Sequence, residues 1–218
     1  DGFHGTVVMG MALWGTVVGA LFGSFPTQRL GRKTTLFWIG VLYTISAVGS
    51  ALSNDPIVFA VFRFIGGLGV GISTIAAPAY ISEIAPPKDR GRLVGLYQFN
   101  LVFGILLAFL SNYLLSDIGD NAWRWMMGVE AFPAILFTLL CLTIPKSPRW
   151  LITRGLVDEA KAIYAKVDPN GSFDQLLQEI NQSVTSENKS ESIFNKKYRF
   201  PLKLAFLVAF FNQLSGIN

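Results

Sequence analysis

Apolar residues in this chain come in long runs separated by short polar loops. The runs cover approximately Phe3 to Phe25, Thr35 to Leu52, Ile57 to Ile81, Leu93 to Leu115 and Trp123 to Ile144; a sixth begins near Leu202 and is still running at Asn218. A helix that crosses a bilayer needs roughly 20 consecutive, predominantly apolar residues. Five such runs joined by short charged loops predict five full transmembrane helices and part of a sixth. The boundaries carry their own signals. Asp55-Pro56 and Ser147-Pro148 each place a capping side chain before a proline at the first helical position, where the missing N–H costs nothing. Gly15, Gly19 and Gly23 recur every fourth residue, as do Gly67 and Gly71. Each set predicts a smooth stripe on which a neighbouring helix backbone can approach closely.

Polar stretches predict one sizeable region outside the membrane, residues 146 to about 199. Val157, Ala160, Tyr164 and Val167 share one face of a short amphipathic helix. Ser172 and Gln175 form a capping box for a second helix, whose apolar face carries Phe173, Leu176, Leu177, Ile180 and Val184. Ser186 to Ser192 reads as a polar linker. The domains expected are therefore a transmembrane bundle over 1–145, a helical linker domain over 146–199 and the start of a second bundle over 200–218.

Composition agrees with the pattern. Of 218 residues, 51% are apolar and 15% charged, against about a quarter charged in soluble domains, and the mean hydropathy is +0.45. The net charge of +4 does not point to nucleic acid, because the basic residues sit in loops between apolar runs. The first loop carries Arg29, Arg32 and Lys33, the third Lys88, Arg90 and Arg92, and residues 146–199 hold nine more; the second and fourth carry Asp55, Asp117 and Asp120. This alternation predicts basic loops, and with them the long central loop, on the cytoplasmic side of a cell membrane, plasma or bacterial inner. With the first run then starting outside and no initiator methionine, both ends read as truncations, with an odd number of helices, one being simplest, upstream. The sequons at Asn170, Asn181 and Asn188 would face the cytoplasm and go unmodified. The single cysteine, Cys141, can form no internal disulfide.

No enzyme site, metal cluster or cofactor motif emerges. There is one histidine, His4, and no nucleophile motif or phosphate loop. The informative groups are polar residues inside the runs, because ionisable side chains in a bilayer are costly unless paired or functional. Arg63 lies roughly 12 Å, and Glu130 roughly 10 Å, inside the outer ends of their spans at 1.5 Å per residue. Similar depth predicts that they pair or share a third group; the alternative is that each snorkels outward. Gln98, with Leu101, Ile105 and Asn112 near its face, either bonds a neighbouring helix or lines a polar cavity. Asn212, Gln213 and Asn218 are further amides in an apolar run, beside Gly216, where a helix can break. Neutral amides donate and accept and so suit a polyhydroxyl ligand, whereas a metal would call for carboxylates or thiolates. At the basic ends, Arg32, Glu83, Arg90, Arg92 and Arg149 could form a charge network closing one end of a pathway; an isolated glutamate there gains most from an arginine partner.

These motifs resemble the sugar porter family of the major facilitator superfamily. Arg29-Leu-Gly-Arg-Lys33 is similar to the superfamily's loop motif between the second and third helices. Arg63-Phe-Ile-Gly-Gly-Leu-Gly-Val-Gly71 resembles the family's fourth helix. Pro78-Ala-Tyr-Ile-Ser-Glu-Ile-Ala-Pro86 with Arg90-Gly91, Pro145-Lys-Ser-Pro-Arg-Trp-Leu151, and Gln213-Leu-Ser-Gly-Ile-Asn218 resemble further family signatures. The resemblance spans nearly the whole chain. It implies an all-α membrane protein, an incomplete major facilitator bundle running from the second helix to the start of the seventh in a twelve-helix fold. Its implied activity is transport of a monosaccharide, hexose or pentose, by alternating access. It also implies that Gln98, Gln213, Asn218 and Asn212 bind sugar. Arg63 corresponds to an arginine that in proton-coupled members faces an acidic residue on the first helix. Glu83, Arg90 and Arg32 correspond to the family's cytoplasmic latch, with Arg149 beside it. Protons are the candidate co-substrate and the bilayer the surroundings, with symport and uniport both open and a non-transporting sugar sensor as the rival reading. Three departures stand out: Asn212 in place of glutamine shortens one sugar contact, Lys146 in place of glutamate reverses a charge beside Arg149, and Gln28 replaces an acidic residue common in the wider superfamily.

Overall fold

The computed structural model describes residues 2–86, 88–169, 171–187 and 199–214, and the side chains of 10–86, 88–169, 171–183, 199–204, 207–208 and 210–211. The described residues form α-helices joined by turns: α1 (Gly2–Phe22), α2 (Ser24–Arg29), α3 (Arg32–Leu52), α4 (Pro56–Ile84), α5 (Arg90–Leu115), α6 (Ala122–Val129), α7 (Ala131–Thr143), α8 (Pro148–Thr153), α9 (Val157–Val167), α10 (Phe173–Glu187) and α11 (Arg199–Leu214). Four stretches are long and apolar enough to cross a membrane: α3, α4, α5 and the combined span Ala122–Thr143. Helix α1 adds a fifth apolar helix of 21 residues. The all-helical membrane architecture read from the sequence is therefore present.

Element ends follow local chemistry. The first apolar run divides at Gly23, because Pro26 has no N–H for the Phe22 carbonyl; α2 takes up the chain as a separate short helix. Asp55 Oδ1 accepts from the amides of Ile57 at 2.7 Å and Val58 at 3.2 Å, and Ser147 Oγ accepts from the Trp150 amide at 3.1 Å. The last long span is interrupted at Glu130, where Pro133 leaves the Val129 carbonyl without its helical donor. Helix α10 opens directly after Ser172, where the capping box predicts it.

The chain divides into two compact units, residues 1–174 and 175–218. In the first, α4 is the central element, flanked by α1 and α3. The α1–α4 seam is made by glycines. A Cβ added at Gly15 would meet the Phe64 carbonyl, at Gly19 the Leu68 carbonyl, at Gly67 the Ala12 carbonyl and at Gly71 the Thr16 carbonyl. The two predicted stripes thus meet each other, backbone on backbone. Leu36 and Ile39 of α3, Ala76 of α4 and Cys141 of α7 form a buried cluster, with Phe37, Tyr80 and Phe137 packed around it. Helix α5 has no buried residue. In the second unit, α11 is a further apolar helix carrying Lys203 in its first half. The 188–198 stretch, including part of the predicted linker, lies outside the described residues.

Candidate functional site: a membrane-embedded cavity and a basic rim

Helices α1, α3, α4, α5 and α7, with Glu130 at the start of α7, line a mostly apolar cavity of about 800 Å³. Its polar lining comes from Thr16, Tyr43, Ser46, Arg63, Tyr97, Asn100 and Glu130. Arg63 and Glu130, expected at similar depth, lie with Arg63 Nη1 3.9 Å from Glu130 Oε2. Arg63 also rests over the Phe59 ring at 5.6 Å and contacts the Met127 sulfur. Its side chain is 23% exposed and that of Glu130 52%. At this separation the pair attracts without a hydrogen bond. The guanidinium carries five N–H donors, and Arg63 is among the residues that line the cavity. Glu130 sits at the interruption between α6 and α7.

The candidate amides are distributed differently. Gln98 is exposed on α5 and is not among the lining residues, whereas Asn100 lines the cavity together with Leu101 and Ile105 from the face expected for Gln98. Two residues along a helix turn through about 200°, so both cannot face one way. Asn212 and Gln213 fall within α11, and their side chains lie outside the described set; Asn218 lies outside the described residues altogether.

At the basic end, Glu83 is the centre of a compact arrangement. Its Oε1 accepts from Arg32 Nε at 3.0 Å and pairs with Arg32 Nη2 at 2.7 Å. Its Oε2 accepts from Ser147 Oγ at 2.5 Å. Arg32 Nη1 continues to the Thr27 carbonyl at 3.3 Å. Arg90 is exposed and Arg149 half-buried; neither forms an ion pair with Glu83, whose one cationic partner among the described residues is Arg32.

Several other rim donors go to main-chain carbonyls; those of Gln28, Arg29 and Leu142 lie in the last turns of α2 and α7, which lack intrahelical partners. Trp150 Nε1 donates to the Gln28 carbonyl at 2.8 Å, and Arg154 Nη2 to Gln28 and Arg29 at 3.0 and 3.1 Å. Lys33 Nζ donates to the Leu142 carbonyl at 2.8 Å, and Tyr80 to that of Pro145 at 2.9 Å. Gly31, with φ of 85°, lies under the Trp150 ring, which approaches to 3.0 Å of where a Cβ would stand. Backbone sterics and the aromatic contact both require glycine there. Lys146 Nζ turns away to Glu159 of α9 at 2.9 Å.

Known proteins give this geometry its context. The family model for "Sugar (and other) transporter" matches residues 3–218. The chain belongs to the sugar transporter family. It is 35% identical over 231 residues to a D-xylose–proton symporter of Escherichia coli K12, covering 95% of this chain and 47% of that one. It is 34% identical over 220 residues to an arabinose–proton symporter of Bacillus subtilis, covering 97% and 47%. Among solved structures, the proton:xylose symporter XylE bound to 6-bromo-6-deoxy-D-glucose matches with a TM-score of 0.79 at 36% identity, covering 84% of this chain and 44% of that one. A partially occluded, inward-open form of XylE from E. coli matches at 0.78, covering 83% and 48%. The chain thus spans about half the length of the relatives it matches. Sugar transporters of this family are integral membrane proteins and not enzymes.

Sequence reasoning passed over several residues of this family member's sites. Asn100 carries the same signal as Gln98, an amide within an apolar run, and was available to it. Tyr43, Ser46 and Tyr97 carry no such signal, because these residues are ordinary in membrane helices. Ser147 was legible as a helix cap, but its second bond, to a residue 64 positions away, was not.

Proposed function

We propose that the protein containing this chain carries a monosaccharide, hexose or pentose, across the membrane by alternating access, coupled to proton movement. The observation that carries the coupling is the approach of Arg63 to Glu130 at the wall of a membrane-embedded cavity. A charge pair held this loosely is sensitive to a third ionisable group, and a carboxyl between protonation states would be such a group. The named substrates of the matched relatives, xylose and arabinose, support a sugar as cargo.

In this reading residues 1–145 are the amino-terminal bundle, 146–199 a cytoplasmic helical domain and 200–218 the start of the carboxyl-terminal bundle. Sugar sits near the midplane between the halves. Gln98, exposed on α5, reaches the sugar from the amino-terminal half, with Gln213, Asn218 and Asn212 from the other. The Arg32–Glu83 pair belongs to the cytoplasmic gate, and Arg90 and Arg149 join it only where the halves close.

Counterflow of labelled hexoses and pentoses by the full-length protein in proteoliposomes tests the reading. Saturable exchange, competed by one sugar and lowered about tenfold in Gln98→Ala, is expected. A pH gradient driving net uptake identifies symport; exchange indifferent to it identifies a uniporter. Binding without exchange identifies a sensor.

A further inference from the structure

Glu83 is held by two elements at once. Its side chain is 9% exposed, and a carboxylate so placed must have its lone pairs satisfied. Arg32 occupies Oε1 through two nitrogens, while Oε2 has one donor among the described residues, the Ser147 hydroxyl, at 2.5 Å. Ser147 is itself 1% exposed. Its oxygen also accepts from the Trp150 amide at 3.1 Å, so one hydroxyl caps α8 and binds the carboxylate. A hydroxyl that accepts a hydrogen bond donates more strongly. The chain of contacts therefore runs from the α8 amide through Ser147, Glu83 and Arg32 to the Thr27 carbonyl at the end of α2.

The neighbouring cation does not compete for this position. Lys146 is drawn to Glu159 of α9 at 2.9 Å, which leaves Ser147 as the side chain through which this loop touches the ion pair. Helix α8 is separately fixed to the same α2–α3 turn by Trp150 and Arg154. Ser147 adds a second tie, from the start of α8 through Glu83 of α4 to Arg32 at the start of α3.

We propose that Ser147 is a positioning residue: by donating to Glu83 it aligns the carboxylate for Arg32 and couples the seating of α8 to the strength of that ion pair. Its consequence for transport rests on the alternating-access reading above; its consequence for the structure does not.

The test is hydrogen exchange by mass spectrometry on the full-length protein in lipid nanodiscs, read in peptides covering 27–35 and 148–153. In Ser147→Ala, both peptides exchange several-fold faster, and Ser147→Thr restores them. Ser147→Asp keeps a capping oxygen but cannot donate when ionised, so 148–153 stays near wild type while 27–35 opens. Glu83→Gln opens 27–35, and adding Ser147→Ala changes that peptide no further. Two results would reduce Ser147 to a helix cap and overturn the proposal. One is a change confined to 148–153. The other is a Ser147→Ala effect at 27–35 that is equal in the wild-type and Glu83→Gln backgrounds. If Ser147→Ala fails to fold, the contrast between the Thr and Asp variants decides by the same peptides. Sugar counterflow on the same proteins should change with Ser147→Ala only when Glu83 is present. Failure of wild type to exchange any sugar removes the transport reading and leaves the peptide result standing.

Discussion

Helices α4 and α5 are similar in length and hydropathy, yet they are used in opposite ways. Helix α4 buries glycines at 67, 69 and 71, and its backbone touches that of α1. Helix α5 buries nothing and presents Phe99, Val102, Leu106 and Phe109 openly. In lipid, apolar surface alone gives helices little reason to associate; close backbone approach and polar contacts do. Helix α4 has the small residues that allow such approach, and α5, whose glycines 91, 95 and 104 meet nothing within 4 Å, is free to offer its faces to lipid, to the cavity and to the rest of the protein.

The strongest way to break this comparison is Gly71→Leu. The side chain would have to displace the Thr16 carbonyl and the Ala20 amide, which are backbone and cannot step aside. A loss above about 3 kcal/mol is expected, seen as no monodisperse protein on size-exclusion chromatography. Normal elution and melting would show that the seam is not what holds α1 to α4.

Next in size is Arg32→Ala, which strands a carboxylate only 9% exposed. Removing one partner of a buried pair costs about 3 kcal/mol, and adding Glu83→Gln should recover part of it, because the uncompensated charge is then gone. Thermal melting of the single and double variants checks both signs.

On α5 the expected effects on stability are small. Gln98→Ala should leave melting within about 0.5 kcal/mol of wild type and yet lower sugar exchange about tenfold, the equivalent of one lost hydrogen bond. A large drop in stability instead would mean that Gln98 bonds a helix and not a sugar. Phe109→Leu, at a side chain 71% exposed, should change melting by less than about 0.5 kcal/mol and leave exchange intact.

Much of this contrast was legible beforehand, and the reason is visible in particular residues. The spacing of Gly15, Gly19 and Gly23 against Gly67 and Gly71 announces close packing because only glycine lets two backbones touch. Asp55 and Ser147 announce helix starts because capping is decided by the residue and its next three amides. The depth of Arg63 and Glu130 follows from counting residues along straight spans. The face of α5 was harder. Gln98 and Asn100 give the same local signal, and a helix gains little locally from either orientation, so rotation about its axis is decided by neighbours.

By itself, the sequence determined the apolar runs, the capped helix starts at Asp55 and Ser147, the alternating basic loops and the family, because each depends on residue type at short range or on a count along the chain. The tertiary structure alone decided which partner each polar group takes. Arg32, Arg90 and Arg149 are all candidates for Glu83 on composition, yet of these three Arg32 alone reaches it, and the second place goes to a serine. A buried carboxylate has few lone pairs and must be met within about 3 Å, and such distances are set by how helices far apart in the chain come to lie side by side.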